Sequence, residues 1–154
     1  MTLILNRISV LHSQLNQVAD FHGHRCPGIA YGLRVALTAI QEIDIKPGDD
    51  VIVQTETSLC PVDAIQVITG CTFGNGKLVF NPTGKQTFSF WNLTSGRAIR
   101  ITCNKIGTIQ ADIDPSKPAM SLLESKIDVV LQSEIKDFLE ISIIPANPPE
   151  NQRF

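Results

Sequence analysis

No apolar run in this 154-residue sequence approaches the ~20 residues that a membrane-spanning helix needs. Its 13 lysines and arginines are scattered among 15 acidic residues, giving a net charge of −2. With no basic stripe to follow a phosphate backbone, nucleic-acid binding has no electrostatic support. There is no Walker or dinucleotide fingerprint, and Gly74-Asn75-Gly76 reads as a turn rather than a phosphate cradle. No internal repeat and no linker breaks the chain, so a single domain is expected; at this length it buries roughly 70% of its unfolded surface. The start, Met1 to Arg7, is too short an apolar segment for a signal peptide and lacks a basic leader. The expectation is therefore a cytoplasmic protein whose four cysteines are ligands, reactive thiols or small buried residues rather than disulfides.

Against this scarcity, one run stands out. Two of the three histidines and one of the four cysteines fall within five residues, in His22-Gly23-His24-Arg25-Cys26-Pro27-Gly28. A second Cys-Pro, Cys60-Pro61, heads a helical pattern downstream.

The periodicity places these motifs. Ile8, Leu11, Leu15 and Val18 predict an amphipathic helix over residues 6–20, with Asn6 as N-cap. Ile29 to Ile40 predict a second helix that ends near Ile43, and Val51 to Thr57 a strand. A third helix is predicted from Pro61 to Thr69, stopped by Gly70. Asn75-Gly76 is a hairpin signal. It leads into segments 77–80, 86–91 and 97–103, read as an antiparallel meander. Helical pieces over 119–131 and 133–138 and a last strand from Leu139 to Ile143 complete an α+β domain over residues 1–144; residues 145–154 read as a loose tail.

Proline is favoured at the first helical position, which makes Cys26 and Cys60 candidate N-caps of two helices. Each thiol would then sit beside unpaired N–H groups and the positive end of a helix dipole, an environment that favours thiolate. Asp63 lies three residues after Cys60, where a carboxylate commonly returns to the N-cap amide. The His22-x-His24-x-Cys26 spacing puts all three side chains on one face if the segment is extended and splays them if it turns. With Cys60 as an added arm, the set suits zinc, nickel or another soft divalent ion. Cys71 is set apart: eleven residues at ~1.5 Å each put it about 16 Å along the chain from Cys60. Two ligands of one ion lie within roughly 4 Å, so one protomer should not use both unless a partner brings them together. Cys71 and Cys103 otherwise read as buried, inert thiols, His12 as solvated surface and Lys85 as a turn lysine.

Taken in order, His22-Gly23-His24-x-Cys26-Pro27-Gly28, Thr55-Glu56-Thr57, Cys60-Pro61-Val62-Asp63, Gly70-Cys71-Thr72-Phe73-Gly74-Asn75-Gly76 and Gly84-Lys85 resemble the FmdE domain, the family named after the FmdE component of formylmethanofuran dehydrogenase. The resemblance implies an α+β core in an intertwined homodimer with a metal-binding motif in a cleft, and it adds Asp63 and Cys71 to the motif residues. Some members carry a C-terminal zinc finger; this chain has no cysteine or histidine after Cys103 and resembles the core-only members. Its cysteines show no iron–sulfur spacing, so the chain alone is not expected to be the dehydrogenase.

The leading expectation is a metal-binding domain, with His22, His24, Cys26 and Cys60 as ligands and Cys60 and Asp63 as catalytic candidates. It would be accessory to a one-carbon or molybdenum- or tungsten-type oxidoreductase. The alternative is a stand-alone cysteine enzyme or redox carrier using a helix-start thiolate. A third reading makes the metal a staple of an interaction module.

Overall fold

The computed structural model describes residues 2–104 and 116–150. Helix α1 runs from Thr2 to His22, longer than the periodic core of residues 6–20 suggested. The residues before Asn6 carry no helix breaker, and the end is set by Gly23, whose φ of +101° needs no side chain and whose N–H bonds back to Ala19. His22 therefore sits on the last turn of a helix rather than in an extended segment. Helix α2 (Pro27–Glu42) starts at the expected proline and is buried along most of its length. It packs against α1, against α3 (Pro61–Thr69) and against α4 (Ala119–Gln132). Helix α3 ends at Gly70 in the left-handed conformation, as predicted.

The strands are β1 (Val51–Thr55), β2 (Leu78–Phe80), β3 (Thr87–Asn92), β4 (Arg97–Cys103) and β5 (Leu139–Ile143). They form one mixed sheet in the order β2-β1-β3-β4-β5. The meander expectation needs correcting here. Only β3 and β4 of the three predicted segments pair with each other, whereas β2 lies parallel to β1 with Val53 beside Leu78. The physical cause is α3, which carries the chain across a helix and so makes β1-α3-β2 a parallel crossover unit. The Asn75-Gly76 turn consequently brings the chain from α3 into β2 rather than closing a hairpin; Lys77 and Leu78 both donate to the Thr72 carbonyl.

One sheet face, with Val53, Phe90 and Ile99 side by side in register, packs under the helices. Each large apolar side chain buried there contributes about 1.5–3 kcal/mol. A four-residue helix, α5 (Ile135–Phe138), follows α4. The indole N–H of Trp91 donates to the Pro145 carbonyl at 3.1 Å. Residues 151–154 of the expected tail lie outside the described residues. Among the described residues, no helix is long and apolar enough to cross a membrane.

Two arginines that sequence reading passed over tie the helices together. Arg34 of α2 is only 6% exposed and closes the C-terminal end of α4, donating to the carbonyls of Val130 and Leu131 at 2.7 Å and of Ser133 at 2.8 Å. It also lies 5.3 Å from the Phe138 ring centre. Burial lowers its pKa from the ordinary arginine value. Arg34→Met is expected to strand these helix-end carbonyls and cost about 2–4 kcal/mol. The midpoint of urea denaturation reads that loss, and an unchanged midpoint would refute the assignment.

Arg25 makes a two-pronged bond to Glu124 of α4, with Nε to Oε1 at 2.9 Å and Nη2 to Oε2 at 3.0 Å. It also donates to Asn16 and contacts His12. His12 was expected on solvated surface. Instead it is half-buried, with Nε2 3.2 Å from Asp128 Oδ1. The reason is α4, which returns over α1 from far along the chain and supplies both acids. Arg25 directly precedes Cys26, so this clamp fixes where the ligand-rich turn leaves α1.

Candidate metal centre

The N-terminal ends of α2 and α3 meet because two glycines of α2 let them. A Cβ on Gly32 would lie 2.3 Å from the Pro61 carbonyl oxygen and 2.7 Å from its Cα. A Cβ on Gly28 would lie 2.7 Å from the Cys60 Cβ. Spaced four apart, these residues form a groove on one face of α2 that seats the first turn of α3. The approach brings Cys26 and Cys60 together, and α1 delivers His22 to the same point. The three ligand atoms lie within 4.8 Å of one another.

His22 is fixed in orientation. Its Nδ1–H donates to Asp63 Oδ2 at 2.7 Å, which leaves the Nε2 lone pair facing Cys26 Sγ at 3.9 Å. Asp63 Oδ1 accepts from the Gln66 amide at 3.3 Å. The sequence left Asp63 open between capping α3 and serving the site. It is drawn away from the cap because the end of α1 presents an imidazole N–H to it. A histidine whose far nitrogen is held by a carboxylate is the usual outer arrangement of a metal ligand.

His24 is exposed, with its ring centre 4.5 Å from that of His22 and the planes tilted by 40°. It stands beside the three-residue group rather than in it. The turn after α1 splays the His-x-His-x-Cys run, the second of the two geometries its spacing allowed. Cys71 is elsewhere. It lies past the C-terminal end of α3, with its thiol 3.5 Å from the Val51 carbonyl, in the wall of a cavity of about 400 Å³ that also takes in the C-terminal end of α2. Burial pushes its thiol pKa up, and pushes that of Cys103 up to about 12.

The expectation that helix starts would favour thiolate at both Cys-Pro positions needs correction for Cys60. Neither thiol makes a capping hydrogen bond, and the Cys60 backbone is already helical at φ −44° and ψ −39°. Burial raises the Cys60 pKa, and the neighbouring Cys26 raises it further. The dipole is outweighed by desolvation and by the charge and hydrogen bonding of the neighbouring Cys26 thiol.

The donor set fits a divalent soft metal. Two sulfurs and one imidazole nitrogen are zinc-type ligands, and tetrahedral bonding would draw them to roughly 4 Å apart, within reach of side-chain rotation. A cation there would supply the positive charge that both thiols lack and would stabilise them as thiolates.

Residues 21–141 match the family described as FmdE, Molybdenum formylmethanofuran dehydrogenase operon. The chain belongs to the FmdE family. A crystal structure of an FmdE-like protein of the tungsten formylmethanofuran dehydrogenase type, from Syntrophus aciditrophicus, superposes with a TM-score of 0.60 at 25% sequence identity, covering 90% of this chain and 73% of that one. A protein of Archaeoglobus fulgidus named "Probable S-adenosyl-L-methionine-binding protein" is 30% identical over 105 residues. That match takes in 64% of this chain but only 29% of the relative, so the chain spans under a third of its length. The FmdE match begins at Phe21, one residue before the first candidate ligand, and takes in the whole centre.

Proposed function

We propose that this FmdE-family chain is a metal-binding domain in which His22, Cys26 and Cys60 hold a zinc-type divalent ion, nickel being the other metal the donors suit. The observation that carries this reading is the convergence of these three residues from α1, α2 and α3, with Asp63 locking the His22 ring. Three protein ligands leave a fourth position for water or an incoming group, the pattern of catalytic rather than structural zinc. His24, with its ring 4.5 Å from that of His22 and outside the three-residue group, is left as a candidate proton carrier rather than a ligand, and Cys60 and Asp63 remain the catalytic candidates. The family and its FmdE-like structural neighbour support an accessory role beside a molybdenum- or tungsten-type one-carbon oxidoreductase such as formylmethanofuran dehydrogenase. A cytoplasmic homodimer is part of the proposal only as what the resemblance implies.

The test is a zinc titration of tag-free, metal-free protein in competition with a chromophoric chelator. One ion per chain at submicromolar affinity is expected, and absence of competition would overturn the reading. The alternative, a metal-free nucleophile at a helix start, gains no support at Cys60, whose thiol pKa is raised by burial.

Asp63→Asn tests the outer shell. The amide can still sit beside His22 but no longer raises the basicity of its imidazole, so zinc affinity is expected to drop about 10- to 100-fold. The same competition titration reads it. An affinity equal to the parent would show that Asp63 serves the helix and not the ion.

A further inference from the structure

The two thiols of the centre are also each other's neighbours. Their sulfurs lie within 4.8 Å, and Gly28 leaves open space beside both: a Cβ there would lie 3.4 Å from Cys60 Sγ and 3.6 Å from Cys26 Sγ. Both are free and only half-buried, whereas Cys71 and Cys103 are buried. Closing this gap to the ~2.05 Å of a disulfide requires the two side chains to turn toward each other, beside the space the glycine leaves open.

We propose that Cys26 and Cys60 form a reversible disulfide with a low-molecular-weight disulfide as oxidant, giving the centre two exclusive states, one metal-holding and one closed. The inference rests on the same side-chain cluster as the metal reading but not on a metal being bound. The exchange proceeds in two steps. One cysteine sulfur, its proton lost to water, attacks a sulfur of the external R–S–S–R; a mixed disulfide forms, and R–S⁻ leaves and is protonated. The second cysteine then loses its proton and attacks the protein sulfur of the mixed disulfide, expelling the other R–S⁻, which is protonated in turn. Two protein thiols are oxidised by two electrons, and one R–S–S–R is reduced to two R–SH. The thiolate is the ligand form, so the closed pair removes two of the three donors and leaves His22 without a chelate.

The direct test incubates the reduced, metal-free full chain with 2-hydroxyethyl disulfide under anaerobic conditions. The expected product has an intact mass about 2 Da below the reduced chain and, after alkylation and proteolysis, a cross-linked peptide pair carrying Cys26 and Cys60. Preloading with zinc should slow its formation by on the order of tenfold or more, and dithiothreitol should restore zinc uptake. Cys60→Ser should stop at one mixed disulfide on Cys26. Stable mixed disulfides on both cysteines of the parent, or a cross-link through Cys71 or Cys103, would overturn the inference. Cross-linking without zinc uptake would remove the metal reading and leave this one. Zinc uptake with mixed disulfides alone would do the reverse.

Discussion

Cys60→Ser is expected to lower the affinity for zinc by on the order of 100- to 1,000-fold, the largest effect of a single substitution at the centre. Apparent binding energies of about 10–16 kcal/mol for four-ligand structural zinc sites imply roughly 2.5–4 kcal/mol per ligand. A serine hydroxyl stays protonated at neutral pH and replaces a thiolate poorly. The folded state should change little, because Cys60 is half-buried and the serine is nearly isosteric. A chelator-competition titration separates the outcomes, and parental affinity would strike Cys60 from the ligand set. His24→Ala provides the contrast. Its ring stands outside the three-residue group, so its removal should shift affinity by no more than about threefold.

Gly32→Ala is expected to be the most destabilising conservative substitution in the chain, costing about 3 kcal/mol or more. The added methyl would meet the Pro61 carbonyl oxygen at 2.3 Å, the Pro61 Cα at 2.7 Å and the Ala64 Cβ at 2.8 Å. None of these is the far end of a flexible side chain, so α3 must move as a body. A thermal midpoint lower by roughly 6–12 °C is the corresponding observable. Gly28→Ala should divide differently between folding and binding. Its closest obstacle is the Cys60 Cβ at 2.7 Å, so zinc affinity should suffer more than stability. Equal midpoints for Gly32→Ala and the parent would show that the two helices are not held at this distance in solution.

Those two glycines also mark how much of the molecule was legible in the sequence. The helices opening at Pro27 and Pro61 could be placed from proline at the first helical position, and the stop at Gly70 from its need for a left-handed backbone. The convergence of Cys26 and Cys60 followed from two helix starts of the same kind. The Gly28-x-x-x-Gly32 spacing signals close approach on one helix face, but it does not name the helix that approaches. The same limit explains the sheet. Asn75-Gly76 and Pro82-Thr83-Gly84 mark turns, yet a turn does not say which strand the chain will pair with. That was decided by α3, which sends β2 to the far side of β1. Arg34 and the Arg25–Glu124 clamp were out of reach for a related reason. Their partners lie 96 to 99 residues away, and no local pattern records them. Thiol chemistry at Cys60 was misjudged because the helix dipole is visible in sequence and the desolvation opposing it is not.

The candidate ligands and the carboxylate that steadies them are close in chain order: His22 and Asp63 are 41 residues apart, while Arg25 waits for Glu124 across 99. During synthesis, the half that carries the candidate ligands therefore leaves the ribosome well before α4 exists. Metal capture can organise α1, α2 and α3 early, as a local event of low contact order. The Arg25 clamp to Glu124 then forms as a late latch, after the turn that carries Cys26 is in place.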